Sequence, residues 1–299
     1  MDRRRFILAA AAFAAACSRE EPAGDGGRGA AAAGEGGTQA DGAGWQPHPD
    51  GVRPLGLQLY TVRDLMAEDV AATLALVART GFQEVEFAGY FDHPPAEIRR
   101  MLADAGLAAP AAHIGYDQFA AGPEAVIEHA QAVGHTFLVV PSVAEHERGT
   151  LDAWRRHAAN FNRWGEACAQ AGLKLGYHNH AFEFDETEGR IPYDVLLEET
   201  DPELVLMELD LAWAHAGSAD PVRYFEQWPG RFPLCHLKDY DGSTESDIGT
   251  GEVDFERILA HAPTAGLLHG FVERDHPDDP RAAIRRNHDA IAGLWNARP

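Results

Sequence analysis

From Leu55 onward, short apolar runs alternate with stretches whose apolar residues recur every three or four positions. The runs 55–60, 82–87, 108–113, 136–141, 173–179, 204–210, 234–238 and 270–273 read as strands. Between them, Val70, Leu74 and Val77 set a helical repeat over 69–79. The same pattern predicts helices over 96–105, 124–133, 151–171, 193–198, 221–228, 255–261 and 281–295. Gly81, Gly106, Gly134, Gly172 and Gly266 fall where helices should stop before the next strand. Eight strands, each followed by a helix, over about 245 residues predict an α/β fold, a single (β/α)8 TIM barrel. A doubly wound open sheet alternates in the same way, but no glycine-rich phosphate loop follows the first strand.

The first 51 residues break this pattern. Residues 1–17, MDRRRFILAAAAFAAAC, combine a basic start, an apolar stretch and small residues before a cysteine, which is the pattern of an export signal. Arg3-Arg4-Arg5-Phe6-Ile7-Leu8 resembles a twin-arginine leader, with Asp2 where Ser or Thr is usual. Ala14-Ala15-Ala16-Cys17 looks like a lipoprotein processing site, which makes lipidation at Cys17 the expected membrane attachment; ordinary export, or cleavage without a lipid, stays open. Residues 18–51 are rich in Gly, Ala and small polar residues, too poor in apolar surface to offset ordering entropy, and read as a flexible tether. The barrel is expected over 52–299, outside the cytoplasm, in the periplasm or anchored to a membrane.

Composition narrows the partners. Of 299 residues, 45% are hydrophobic and 24% charged, which suits a globular chain and not a disordered one. Lys+Arg is 25 and Asp+Glu is 47, so the formal charge is −22. Such a chain repels a phosphate backbone, and no basic patch stands outside the N-terminus, so a nucleic-acid partner is not expected. Three cysteines, Cys17, Cys168 and Cys235, make no disulfide framework.

Polar residues collect at one end of the strands. The first ends in Gln58 and Tyr60, followed by Arg63; the second in Glu86; the third in His113. The fifth ends His178-Asn179-His180, with Glu183 just beyond; the sixth ends Glu208-Leu209-Asp210. The seventh ends His236-Leu237-Lys238-Asp239 and the eighth in Glu273. The C-terminal rim is where barrels of this kind carry their sites. Alternation of side chains puts His236 and Lys238 on one face, His178 and His180 on one face, and Glu208 and Asp210 on one face. Carboxylates and imidazoles converging on a point need protons or a cation; a divalent ion with open positions is the simplest solution. Asp210 also precedes a helix, but Asp220 before Pro221 is the better helix start. His129, His157, His276 and His288 read as surface residues, and Trp213 as a pocket wall or core residue.

The phrases Gly56-Leu57-Gln58-Leu59-Tyr60-Thr61-Val62-Arg63-Asp64, Tyr177-His178-Asn179-His180, Glu183-Phe184, Glu208-Leu209-Asp210, His236-Leu237-Lys238-Asp239 and Phe271-Val272-Glu273 resemble the xylose-isomerase-like barrel superfamily. The resemblance spans roughly 53–297 and is to its sugar isomerase/epimerase branch, with inosose dehydratases and 3-keto-glycoside-processing enzymes. It implies one divalent ion (Mn, Mg, Co or Zn) held by Asp210, His236 and Glu273, with His178 first, then His180 or Glu183, as the strand-five ligand. A His at that position, where epimerases carry Glu, leans toward the dehydratase and keto-glycoside members.

The activity expected is metal-assisted proton transfer beside a carbonyl of a sugar or keto-sugar. Glu183, His180 or Glu273 would move the proton and Lys238 would contact a substrate oxygen. Gln58, Tyr60, Arg63, Glu86, His113 and Trp213 stand where the substrate is expected. Isomerisation, epimerisation, dehydration and elimination share this first step. Two other readings compete: an exported sugar-binding lipoprotein with a residual metal site, and, remotely, a metal-dependent endonuclease, which the charge of −22 disfavours.

Overall fold

The computed structural model of the chain describes residues 54–299, so the expected leader and tether lie outside the described residues. Eight parallel strands form a closed barrel. They are β1 (Gly56–Gln58), β2 (Glu84–Ala88), β3 (Ala108–His113), β4 (Phe137–Val140), β5 (Lys174–His178), β6 (Val205–Asp210), β7 (Leu234–Leu237) and β8 (His269–Val272). Each pairs with its neighbours in chain order, and β8 closes on β1 through Gly56 opposite Phe271. This is the (β/α)8 barrel expected from the alternation of apolar runs.

The helices form where the sequence supplies both caps and an apolar stripe. Val70–Thr80 starts at Asp69, whose carboxylate accepts the Ala72 amide at 2.9 Å, and buries Val70, Leu74 and Val77. The long helix Leu151–Gln170 starts at Thr150, whose hydroxyl accepts the Ala153 amide. Among the described residues, no helix is long and apolar enough to cross a membrane. Cys168 and Cys235 are buried free thiols.

Three local departures from the expected pattern matter for the site. The first strand stops at Gln58, because its side-chain oxygen accepts the Tyr60 amide at 3.0 Å and turns Leu59–Val62 into a 3-10 helix. That turn leaves Tyr60 40% exposed at the rim. Asp210 does start a helix, Leu211–Ala216, as well as Asp220 starting Pro221–Gln227; the short first helix has too few residues to show a repeat in the sequence. A small antiparallel hairpin, Asp239–Tyr240 with Glu245–Ser246, follows β7 and carries Glu245 toward the rim.

Two apolar assemblies hold the barrel. The larger lies between the barrel wall and the helices. The smaller, Ala111, Phe137, Val139, Leu234 and Phe271, forms a plug inside the barrel. Burial of Phe137 and Phe271 contributes roughly 1.5–3 kcal/mol each. Gly56 makes room for the plug, since a Cβ there would lie 2.2 Å from the Phe271 ring. The two-residue period then places the next inward side chains above the plug, and these are almost all polar.

Candidate functional site

Strand register assembles the polar layer. Gln58 stands opposite Glu86, His178 opposite Glu208, and Asp210 opposite His236. Gln58, Glu86, His178, Glu208 and His236 are all buried, with His113 beside them. The Oε2 atom of Glu208 lies 2.7 Å from His113 Nε2, 3.2 Å from His236 Nε2 and 3.4 Å from His178 Nδ1. Glu86 Oε2 accepts the Gln58 amide at 2.8 Å and lies 2.8 Å from His236 Nε2.

A second layer sits toward the mouth. The other nitrogen of His236, Nδ1, lies 2.8 Å from Glu273 Oε2 and 3.8 Å from Asp210 Oδ2. Lys238 Nζ is 3.1 Å from Glu273, 3.6 Å from Asp210, 3.9 Å from Glu245 and 2.6 Å from Asp275. Asp210 is held by its cap to the Trp213 amide at 2.8 Å, and Asn179 accepts the Asp210 amide at 3.0 Å. His236 therefore joins the two layers through its two ring nitrogens.

The electrostatics follow from burial and pairing. Burial, reinforced by Glu208, pushes Glu86 up to about 7. Burial opposes charge on Glu208 too, but His236 and His113 hold it well below the usual carboxylate range. Burial and the neighbouring His236 drive His178 well below the ordinary imidazole value. His236 moves the other way: burial works against its charge, and Glu208 and Glu273 override it. In the upper layer burial lifts Asp210 to about 7, against the pull of Lys238, while Lys238 and His236 keep Glu273 ionised despite burial.

Above both layers opens a cavity of about 430 Å³. His113, His178, His180, Lys238, Glu273 and Asp275 supply its polar lining; Tyr60, Trp213, Gln118 and His276 line it further out. His180 stacks at 6.1 Å on Trp213, whose ring centroid lies 4.8 Å from Lys238 Nζ. Burial and then Lys238 lower His180 to about 4, so it is a neutral imidazole at neutral pH.

The expected site residues divide by position. Asp210, His236 and Glu273 come together, and Lys238 sits among them. His178 joins the other group, with His113, Glu208 and His236. Gln58 and Glu86 lie beneath the cavity, while Tyr60, His113, His180 and Trp213 line it. Arg63 lies beside the cavity and lines an adjoining pocket; its Nη1 donates to the backbone oxygens of Tyr60 and Asp275 at 2.9 and 2.6 Å, and it stacks over Tyr60. Glu183 is turned away: fully buried, it accepts the Tyr177 hydroxyl at 2.6 Å and the His180 amide at 2.7 Å.

Residues without an expected role complete the site. Glu208 lies two positions before Asp210, so alternation already put it on the same inward face. Asp275 lies two positions after Glu273 in the loop beyond β8, where the strand period no longer applies. His276 is exposed as expected and stands at the edge of the cavity, but His157 is not the surface residue expected: 5% exposed, it bonds the Tyr116 hydroxyl at 2.9 Å.

The residues fit a divalent cation. Buried Glu86 Oε1, Glu208 Oε1, Asp210 Oδ2 and His178 Nδ1 have no hydrogen-bond partner, and such atoms are costly unless a ligand satisfies them. Carboxylate oxygen and imidazole nitrogen are donors for ions of the Zn, Mn, Co and Mg class.

Known proteins of this architecture are similar to the chain. The model of the xylose isomerase-like TIM barrel family matches residues 74–292. An inosose dehydratase of Geobacillus kaustophilus is 32% identical over 113 residues, which is 38% of this chain and 36% of that protein. The inosose dehydratase of Salmonella typhimurium strain LT2 is 25% identical over 272 residues, covering 77% of this chain and 89% of that protein. A sugar phosphate isomerase/epimerase from Parabacteroides distasonis superposes with a TM-score of 0.72 and 26% identity, over 80% of this chain and 97% of that one. The IOLI protein, solved with a bound zinc atom, shares the fold alone: TM-score 0.66, 13% identity, 82% and 99% of the two chains.

Proposed function

Because the chain belongs to the xylose isomerase-like TIM barrel family, we propose that it is a divalent-metal-dependent sugar isomerase, epimerase or lyase that moves a proton beside the carbonyl of a sugar or keto-sugar. The observation that carries this reading is the meeting of imidazoles and carboxylates, several with unpartnered buried atoms, at the floor of an open cavity. A divalent ion held by the buried His/Glu cluster would act as a Lewis acid on the substrate carbonyl. The chain's own groups do the rest. His180, neutral and on the cavity wall, accepts the proton from the carbon next to the carbonyl. Glu273, on the same cavity, is the second proton-transfer group. Return of the proton to substrate carbon gives isomerisation or epimerisation; its delivery to a departing hydroxyl or glycosidic oxygen gives dehydration or elimination. Lys238 keeps Glu273 ionised and meets substrate oxygen. Trp213 and Tyr60 offer flat surface to a sugar ring. The likeness to inosose dehydratases supports a ring-shaped keto-sugar as substrate.

Both oxygens of Glu183 accept hydrogen bonds, from the Tyr177 hydroxyl and the His180 amide, and the second ties the carboxylate to the main chain at His180. The export reading rests on residues 1–17 alone and belongs to the same proposal: a barrel working outside the cytoplasm, tethered through Cys17. Fractionation of cells carrying the full chain checks it, and recovery only from cytosol rejects it.

The reaction is tested by deuterium uptake from D₂O into inososes, 3-keto-glucosides and ketohexoses, with and without a chelator. Uptake that stops on chelation and returns with added metal is the expected result. No uptake into any member of the panel rejects the proposal.

A further inference from the structure

The loops after β7 and β8 bind their backbone amides to the chain's own carboxylates. Glu245, 6% exposed on the hairpin after β7, accepts the Asp275 amide through Oε2 at 2.7 Å and the His276 amide through Oε1 at 2.6 Å. Asp239, fully buried, accepts the amides of Tyr240, Gly249, Gly251 and Val253 at 2.8, 2.8, 3.0 and 3.1 Å. We infer that Glu245 and Asp275 are specificity-determining residues: together they close the mouth of the cavity to anions, so that its substrate is a sugar without a phosphate. The inference rests on the sugar-processing reading above and narrows its substrate.

Successive backbone amides that donate to one group form a concave seat for an anion. In (β/α)8 barrels the loops after the seventh and eighth strands are a frequent place for such a seat to hold phosphate. Here the seat after β8 is already filled. Each oxygen of Glu245 takes one amide, and the carboxylate brings the negative charge that a phosphate would bring. A phosphate entering there would have to displace a buried side chain that Arg274 and Lys238 flank at 3.8 and 3.9 Å. The amides after β7 are closed in the same way around Asp239.

The cationic side chains are engaged as well. Among the described residues, Lys238 is the one lysine or arginine on the cavity lining. Its ammonium, 1% exposed, has Asp275 at 2.6 Å, Glu273 at 3.1 Å, Asp210 at 3.6 Å and Glu245 at 3.9 Å. Four carboxylates around one ammonium repel a phosphate dianion and leave a neutral hydroxyl unaffected. Arg63 beside the cavity donates its Nη1 to the backbone oxygens of Tyr60 and Asp275, and Arg274 faces Glu245 and Asp247. Asp275 also has a use for the substrate it admits. Its Oδ2 takes Lys238, and its side chain, 18% exposed on the cavity lining, can accept a sugar hydroxyl.

NMR titration of the full chain with inorganic phosphate, fructose 6-phosphate and fructose tests this without turnover. Glu245→Gln keeps one acceptor oxygen, releases one amide and removes the charge. Asp275→Asn removes the charge beside Lys238 and leaves the backbone ties of the loop in place. Each variant is expected to bind both phosphates about tenfold more tightly than the parent. Absence of that gain in either folded variant overturns the inference, as does a parent that holds fructose 6-phosphate more tightly than fructose. If Glu245→Gln does not melt cooperatively, Asp275→Asn alone decides. Deuterium uptake separates this from the function. Uptake into fructose 6-phosphate as fast as into fructose leaves the function standing and the inference lost. A gain in phosphate binding with no uptake into any sugar of the panel keeps the inference and rejects the function.

Discussion

The Nδ1 atom of His236 lies 2.8 Å from Oε2 of Glu273, with both side chains buried. Because the other nitrogen faces Glu86 and Glu208, this one imidazole stands between carboxylates from three different strands. Removing it leaves those carboxylates buried with less positive charge near them. His236→Asn is expected to lower unfolding free energy by about 3–5 kcal/mol at neutral pH and to abolish deuterium uptake. Urea denaturation measures the first effect. A loss below about 1 kcal/mol would show that the carboxylates are neutralised by other means.

Glu183 carries a pH signature. Its folded pKa, about 7 against an ordinary 4.5, is raised by burial. The folded chain therefore binds this proton more tightly than the unfolded chain. The cost of ionising it is absent below pH 4.5, grows through the window from 4.5 to about 7, and is constant above that. Glu183→Gln can still accept the His180 amide and donate to the Tyr177 oxygen, but it does not titrate. Its stability relative to the parent should rise across that window by up to roughly 3 kcal/mol. Thermal melts at several pH values test this, and a flat difference contradicts the assignment.

Gly165 lies where the helix Leu151–Gln170 crosses the start of β6. A Cβ at Gly165 would stand 2.5 Å from the Leu204 carbonyl oxygen, which is backbone and cannot swing aside. Gly165→Ala should destabilise the barrel by about 1–3 kcal/mol. Calorimetry would show this as a fall in Tm of roughly 2–12 °C. Since the helix is far more tolerant of Ala than of Gly, an unchanged or raised Tm would mean that the crossing distance is relaxed in solution.

Trp213 tests the substrate face. It lies between His180 and Lys238 on the cavity wall and carries no group able to move a proton between carbons. Trp213→Leu should raise KM about three- to tenfold, the loss of a stacking contact of roughly 0.5–1.5 kcal/mol, with kcat changed far less. A fall in kcat with KM unchanged would place Trp213 in the chemistry instead of on the wall.

Much of this architecture is written locally. The alternation of apolar runs with three- and four-residue repeats marks all eight strands and the helices between them, because each element must bury its own stripe. Strand alternation also puts Glu208 beside Asp210 and Lys238 beside His236, because side chains two apart share a face. The first strand's early end is less legible, since it depends on one hydrogen bond from the Gln58 side chain to the Tyr60 amide.

What the sequence by itself determined is the closed barrel and the polar end of its strands; both follow from periods of two and of three to four. Which polar residues meet was decided only by the tertiary structure. His113 and Glu208 are 95 positions apart, and Glu86 and His236 are 150 apart. Their distances are set by strand register and barrel closure, not by spacing along the chain. Register also sets His178 opposite Glu208, puts the Lys238 ammonium between Asp210 and Glu273, and leaves Glu183 bonded to the Tyr177 hydroxyl. A period in the sequence states which way a side chain points; the charge it finds there depends on what the other strands bring to the same height.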